Sequence, residues 1–318
     1  MTNRILDFSA EAARLSARDE QLVIEQSGRL PQRIPLADIA VLIASHPHVR
    51  YSQAVLAGLL EHGGLFVTCD SRQAPRGMLL PLEGHSVQAE RFRLQAAASE
   101  PFRKRVWQQI VRSKLRAQGR LLERLRGEDA GLRELASRVH SGDRGNFEAQ
   151  GARRYWRRLF ADSSFRRDID AQDQNRFLNY GYAVLRAIVA RALTSAGLHP
   201  TFGLHHSNRY NAFALADDLM EPFRPIVDER VVRLIGDGGA TQPLGREQKS
   251  ELIGALIGRF GAGGESRSLF DWLTRVASSL AAAYESGEKK IFLPEFGKIP
   301  RKPVVSEVLS RERRALSE

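Results

Sequence analysis

Three stretches, far apart in the chain, carry side chains that could jointly hold a divalent cation. One, residues 142–150, contains Glu148; a second, residues 204–209, contains His205 and His206; the third, residues 217–221, contains Asp218 and Glu221. One imidazole combined with carboxylate oxygens suits a hard or borderline ion: the oxygens admit Mg2+, and the imidazole tilts the preference toward Mn2+. Such a site beside a basic surface is what phosphodiester chemistry requires, because cations hold the strand while the metal stabilises charge on the attacking and leaving oxygens. Each stretch also has a plainer reading. An acid in a first helical turn offsets the helix dipole, so Glu148 taken alone reads as a capping carboxylate, with Asn146 as the N-cap. Adjacent histidines on a loop are often merely exposed. Asp218 and Glu221, three apart, share a helix face and repel, so something positive should hold them.

Charge is localised. Residues 91–160 contain 18 Lys and Arg against 7 Asp and Glu, a net +11 that equals the excess of the whole chain. A field of that kind attracts polyanions, nucleic acid first among them, although a solvated arginine-rich helix face is the bland alternative. Within it, Arg153, Arg154, Arg157 and Arg158 flank Tyr155 and Trp156, a mixture of cations and aromatics expected of a phosphate-facing helix. Other chemistries lack their parts: there is no Walker A loop, no HExxH and no GxSxG. The single cysteine, Cys69, excludes a disulfide framework and a multi-cysteine zinc site, so a reducing cytoplasm is expected. No apolar run of 18 residues suggests a membrane span, and the first 14 residues carry Asp7 and Glu11 where a signal peptide needs an apolar stretch.

The elements that must position these groups divide in two. Apolar periodicity changes from two toward 3.6 near Glu83, which predicts an α+β protein with an N-terminal β-sandwich-like domain over 1–83 and a larger all-α domain over 84–318. In the first, 14–18 and 21–25 predict a hairpin around Asp19-Glu20, 36–43 and 65–69 predict strands, and a helix runs from Ser52 to Gly63-Gly64. The two prolines and two glycines of 70–84 mark a connector. In the second, helices are expected over 86–99, 101–126, 147–160, 173–196, 211–234, 245–260 and 266–286, with a partly ordered tail after about 289. Tyr180 and Tyr182 are expected to pack rather than react.

The segments GDRGNFEAQGARRYW, FLNYGYAVLRAIVARALTSAGLHP, GLHHSNRYNAFALADDLMEPFRPIVD and MLLPLEGHSVQAERFRLQ, together covering about residues 77–228, resemble the CRISPR-associated integrase/endonuclease, the universal adaptation protein, in its type II form. The resemblance implies an N-terminal β-sandwich used for dimer contacts and a helical catalytic domain. It assigns Glu148, His206 and Glu221 as the catalytic metal ligands for Mg2+ or Mn2+, with His205 as a neighbour that orients or packs. Asp218 becomes an auxiliary group. It implies insertion of foreign DNA fragments into the CRISPR repeat array by transesterification of a 3′-hydroxyl. The implied partners are protospacer and repeat DNA, a second copy of the chain, and a dimer of the second, small adaptation protein in a heterohexamer. In type II systems the effector nuclease and an accessory adaptation factor join them, and no membrane is involved. One departure is Gly151, where alanine is expected; glycine there could loosen the site. A non-catalytic basic DNA-binding scaffold and a metal-dependent nuclease of unrelated purpose are the alternatives.

Overall fold

Asp19 and Glu20 both take positive φ, the left-handed geometry of a two-residue hairpin turn whose twist matches its strands. They join β2 (Arg14–Arg18) to β3 (Gln21–Glu25). The computed structural model describes residues 3–70, 75–160, 162, 164–206, 208–236 and 243–297. In it these strands pair with β4 (Gln32–Pro35) and β6 (Arg50–Tyr51) in one four-stranded sheet of order β4-β3-β2-β6. A second sheet, of order β1-β5-β7-β8, contains β1 (Arg4–Phe8), β5 (Ile39–Ala44), β7 (Leu65–Cys69) and β8 (Pro75–Leu79); its first three strands run parallel and β8 is antiparallel to β7. Leu15, Leu22, Ile24, Leu42 and Phe66 meet between the sheets, beneath α1 (Gln53–Glu61), so the expected β-sandwich is present.

The strand expected over 36–43 begins as a 3-10 turn at Leu36–Asp38 and becomes β5 only at Ile39. All six residues of β5 are buried because both faces are covered. Leu42 faces the sandwich, whereas Val41 and Ile43 join the core of the helical part. The supposed connector at 70–84 contributes β8, which Pro75 can start because a strand's first residue need not donate to the ladder.

The helical part comprises α2 (Gln88–Ala96), α3 (Glu100–Arg126), α4 (Leu132–Arg138), α5 (Phe147–Leu159), α6 (Asn175–Ser195), α7 (Ala214–Met220), α8 (Arg224–Ile235), α9 (Arg246–Leu256) and α10 (Leu269–Ser286). Ser99 caps α3 by accepting from the Phe102 N–H, Pro101 sits in its first turn, and Gly127 in the left-handed conformation ends it. The helix expected over 211–234 is broken at Glu221–Phe223 by a 3-10 turn carrying Pro222. This part is not purely α: β9 (Arg259–Ala262) and β10 (Glu265–Ser268) form a hairpin through Gly263-Gly264, both at positive φ.

α6 is buried along most of its length and packs on β5 and β7 as well as on α7, α8, α9 and α10. Tyr180 on α6 donates to Asp7 of β1 at 2.5 Å, and Arg191 donates to the Gly63 carbonyl at 2.7 Å. Of the tail expected to be partly ordered after about 289, residues 289–297 dock. Ile291 is buried, Phe296 lies against Phe223, Phe260 and Trp272, and Glu295 pairs with Arg116 and Arg120. Residues 298–318 lie outside the described residues.

Candidate metal and nucleic-acid site

Glu148 reaches its place through two local devices. Asn146, expected to cap α5, takes the left-handed conformation and makes no side-chain cap; the cap is Asp143, whose carboxylate accepts from the Phe147 N–H at 3.0 Å and the Glu148 N–H at 2.9 Å. This leaves the Glu148 side chain to point at α3. The second device is Gly151. A Cβ at that position would lie 2.2 Å from Leu115 Cδ2, so glycine permits the close approach of α5 to α3, and the expectation that it loosens the site is reversed.

On α3, Lys114 falls on the apolar stripe that includes Trp107, Ile110, Val111, Leu121 and Leu122, and is itself only 8% exposed. Its ammonium lies 2.7 Å from Glu148 Oε1 and 2.6 Å from Glu221 Oε2. Glu221, fully enclosed at the 3-10 turn after α7, is also paired with Arg224 at 3.0 Å through its other oxygen. Burial works to raise the Glu221 pKa, but Arg224 and Lys114 outweigh it and hold the carboxyl below its usual range. For Lys114, burial opposes the charge and the two glutamates outweigh it, holding the amine above its usual range. The cations that had to hold the acids of the third stretch are thus Lys114 and Arg224 for Glu221.

Asp218 is held differently. Completely buried on α7, it accepts from the backbone N–H groups of Leu204 (2.6 Å), His205 (2.9 Å) and His206 (3.4 Å), and from the His206 ring. Asp218 thus engages the Nδ1 side of the His206 ring, and Nε2 is the ring nitrogen left to face a ligand. The hydrogen bond to Asp218 raises the His206 pKa against opposing burial, helped by the charges of Asp218, Glu221 and Glu148. The His205 ring stacks flat on Trp107 at 4.5 Å with an interplanar angle of 1°. Trp107 meets the His206 ring edge-on at 5.7 Å, so one buried indole backs both histidines.

The structure therefore gathers Glu148 and Glu221 around one ammonium and sets His206 nearby. Among the described residues, however, no three His, Cys, Asp or Glu side chains stand in a common ligand geometry. The residues nonetheless fit a divalent ion. Glu221 Oε2 is buried with the Lys114 ammonium 2.6 Å away, a cation already seated on that oxygen, and two carboxylates with one imidazole form a hard-to-borderline donor set.

A second network underlies the first. Asp228 accepts hydrogen bonds from Tyr155 at 2.6 Å and from Tyr182, while the Tyr182 ring lies under the Arg224 guanidinium at 4.7 Å. Burial pushes the Asp228 carboxyl up to about 6 despite both hydroxyls and the charges of Arg224 and Arg167. Tyr180 and Tyr182 are buried, and burial raises both hydroxyls well above their ordinary range.

The basic segment is more internally paired than its composition suggests. Arg91, Arg116, Arg120 and Arg124 pair with Glu285, Glu295 and Glu229 beyond the segment. On α5, Arg158 pairs with Glu128 and Arg154 donates to the Ala130 carbonyl, whereas Arg153 and Arg157, one turn apart and exposed, have no partner among the described residues.

Lys114, Trp107, Arg224 and Asp143 are the contributors that sequence reasoning missed. Lys114 had a signal, a lone cation on an apolar stripe. Trp107 had none beyond its place on that stripe.

Comparison with known proteins gives a consistent outcome. Residues 8–251 match the family described as CRISPR associated protein Cas1. A CRISPR-associated endonuclease Cas1 of Neisseria meningitidis is 38% identical over 285 residues, covering 89% of this chain and 93% of that protein. One from Pyrobaculum aerophilum is 28% identical, covering 85% and 96%. Among solved structures, a casposase bound to its integration product superposes with a TM-score of 0.76 at 21% identity, over 100% of this chain and 99% of that one. A Cas1 protein from Thermotoga maritima gives 0.69 at 16% identity, over 91% and 99%, and these two likenesses carry the fold.

Proposed function

The chain belongs to the CRISPR-associated Cas1 family, and from that premise we propose that it is the metal-dependent integrase and endonuclease of CRISPR adaptation, working through Glu148, His206 and Glu221. The observation that supports this reading is the convergence on Lys114 of two carboxylates from separate elements, beside a histidine whose free nitrogen Asp218 fixes. Glu148, Glu221 and Nε2 of His206 would hold Mg2+ or Mn2+, which when bound supplies positive charge at the attacking and leaving oxygens of the phosphodiester.

The reaction is an exchange. The 3′-hydroxyl oxygen of the incoming fragment bonds to phosphorus at the repeat boundary as the bond from phosphorus to the 3′-oxygen of the repeat strand breaks. The proton lost by the first hydroxyl is regained by the second, and no covalent link to the protein forms. With water in place of the hydroxyl, the same site cleaves DNA. Asp218 holds the imidazole by its Nδ1 side so that Nε2 is offered, Arg224 holds one oxygen of Glu221, and Trp107 limits movement of the histidine loop. Exposed Arg153 and Arg157 face the DNA backbone, supplying phosphate contacts that position without selecting sequence.

We further assign a homodimer with contacts in the β-sandwich, a small second adaptation protein as partner, and a cytoplasmic setting. In a Cas6-RT-Cas1–Cas2 complex, a region making up 36% of one chain superposes on 91% of this chain, at 20% identity and a TM-score of 0.70. Among the described residues no helix is long and apolar enough to cross a membrane. Strand joining with a labelled fragment and a repeat duplex tests the function: Glu148→Ala, His206→Ala and Glu221→Ala each abolish joining with DNA binding nearly intact. Wild-type joining by His206→Ala would transfer the ligand role to His205.

A further inference from the structure

Lys114 presents one ammonium to the two carboxylates assigned above to the metal, at 2.7 Å from Glu148 and 2.6 Å from Glu221. We propose that Lys114 is a resident cation that competes with the divalent metal for these carboxylates, holding them together until the metal takes them and leaving its place between them when it does. The inference rests on the functional reading of Glu148 and Glu221.

Two buried carboxylates side by side repel, and the ammonium between them supplies the compensating positive charge. An ammonium supplies that charge with three rotatable donors, but at hydrogen-bond lengths, whereas Mg2+ binds oxygen at about 2.0–2.1 Å. The dication therefore requires the carboxylates to draw closer around a point the ammonium now fills. Lysine suits a cation that must move, since its charge sits on a flexible four-carbon stem, unlike the planar fork of arginine. A destination exists. Gln118, one turn along the same face of α3, is buried at 3% exposure, and its Oε1 has no hydrogen-bond partner among the described residues. An ammonium turned toward that oxygen keeps its positive charge beside the site, where an anionic phosphodiester arrives.

The test is Mn2+ binding by calorimetry, paired with melting of the full chain in EDTA and in saturating Mn2+. Wild type, Lys114→Met, Lys114→Arg and Glu221→Ala are compared. Lys114→Met is expected to melt below wild type in EDTA, to gain more from Mn2+, and to bind Mn2+ at least tenfold more tightly. Lys114→Arg, which keeps the competing charge, binds no more tightly than wild type. Wild-type or weaker Mn2+ affinity in Lys114→Met overturns the inference. If Lys114→Met folds in neither condition, Gln118→Leu decides: a loss of threefold or more in Mn2+ affinity supports the displaced position, and unchanged affinity overturns it. Glu221→Ala separates the two levels, because Mn2+ binding that ignores this substitution removes the metal reading itself, whereas a Glu221-dependent site unaffected by Lys114 removes only the competition.

Discussion

Replacing Gly151 by alanine adds one methyl at the contact that brings Glu148 to α3. That methyl would sit 2.2 Å from Leu115 Cδ2, far inside van der Waals contact, and Leu115 is completely buried, so its side chain cannot swing into solvent. Overpacking of this kind costs about 1–3 kcal/mol. Against it stands the better helix propensity of alanine, worth up to about 1 kcal/mol. The net expectation, with the full propensity gain subtracted, is a loss of up to about 2 kcal/mol, seen in urea unfolding as a lower midpoint at unchanged slope. A double-mutant cycle with Leu115→Val isolates the clash: shortening the leucine relieves it, so the double variant should be at least about 0.5 kcal/mol more stable than the sum of the single effects. Because α5 must tilt or slide to admit the methyl, Mn2+ affinity should fall alongside stability. A Gly151→Ala effect additive with Leu115→Val would refute the claim that glycine sets the α3–α5 distance.

Neutralising Arg153 and Arg157 should lower the slope of log K against log salt for DNA by about two, while neutralising the internally engaged Arg154 and Arg158 should leave it nearly unchanged; fluorescence anisotropy over a salt series measures both. The helical part expressed alone from Ser86 should fold poorly and fail to complete two-ended integration, because α6 loses the cover of β5 and β7 and Tyr180 loses Asp7. A soluble, dimeric and fully active fragment in sedimentation and joining assays would contradict this. Asp228 predicts a pH dependence. Its folded pKa of about 6 lies above its usual 3.8, so the native state holds the proton more tightly than the unfolded one. The resulting stability is fully present below about pH 3.8 and is lost as pH rises through about 6, roughly 3 kcal/mol at most. In chelator, wild type should therefore lose stability relative to Asp228→Asn between pH 4 and 7; parallel curves would contradict the assignment.

Much of the fold was legible because its local signals agreed with its packing. The Asp19-Glu20 turn, the Leu65–Cys69 strand and the long α3, expected over 101–126, appear where turn chemistry, β-rich composition and amphipathic periodicity place them. What was missed had competing signals. β8 lies among Pro75, Gly77 and Pro81, residues that ordinarily mark a connector, and the β9–β10 hairpin was absorbed into helical periodicity although Gly263-Gly264 was a plain two-residue turn. The metal candidates were found as separate stretches, but their union was not derivable from spacing, since Glu148 and Glu221 meet only through Lys114 on a third helix. Asn146 and Asp143 show the same limit at short range: both can cap, and the left-handed turn at 142–146 gives the role to Asp143.

A crystal structure of the protein soaked in Mn2+, with the ion located by its anomalous signal, tests the central claim most directly. One ion should appear with oxygen from both Glu148 and Glu221 at about 2.0–2.3 Å and Nε2 of His206 as the third protein ligand, while Nδ1 keeps its hydrogen bond to Asp218. An ion bound elsewhere, or both glutamates still on Lys114 with His206 uncoordinated at saturating Mn2+, would contradict it.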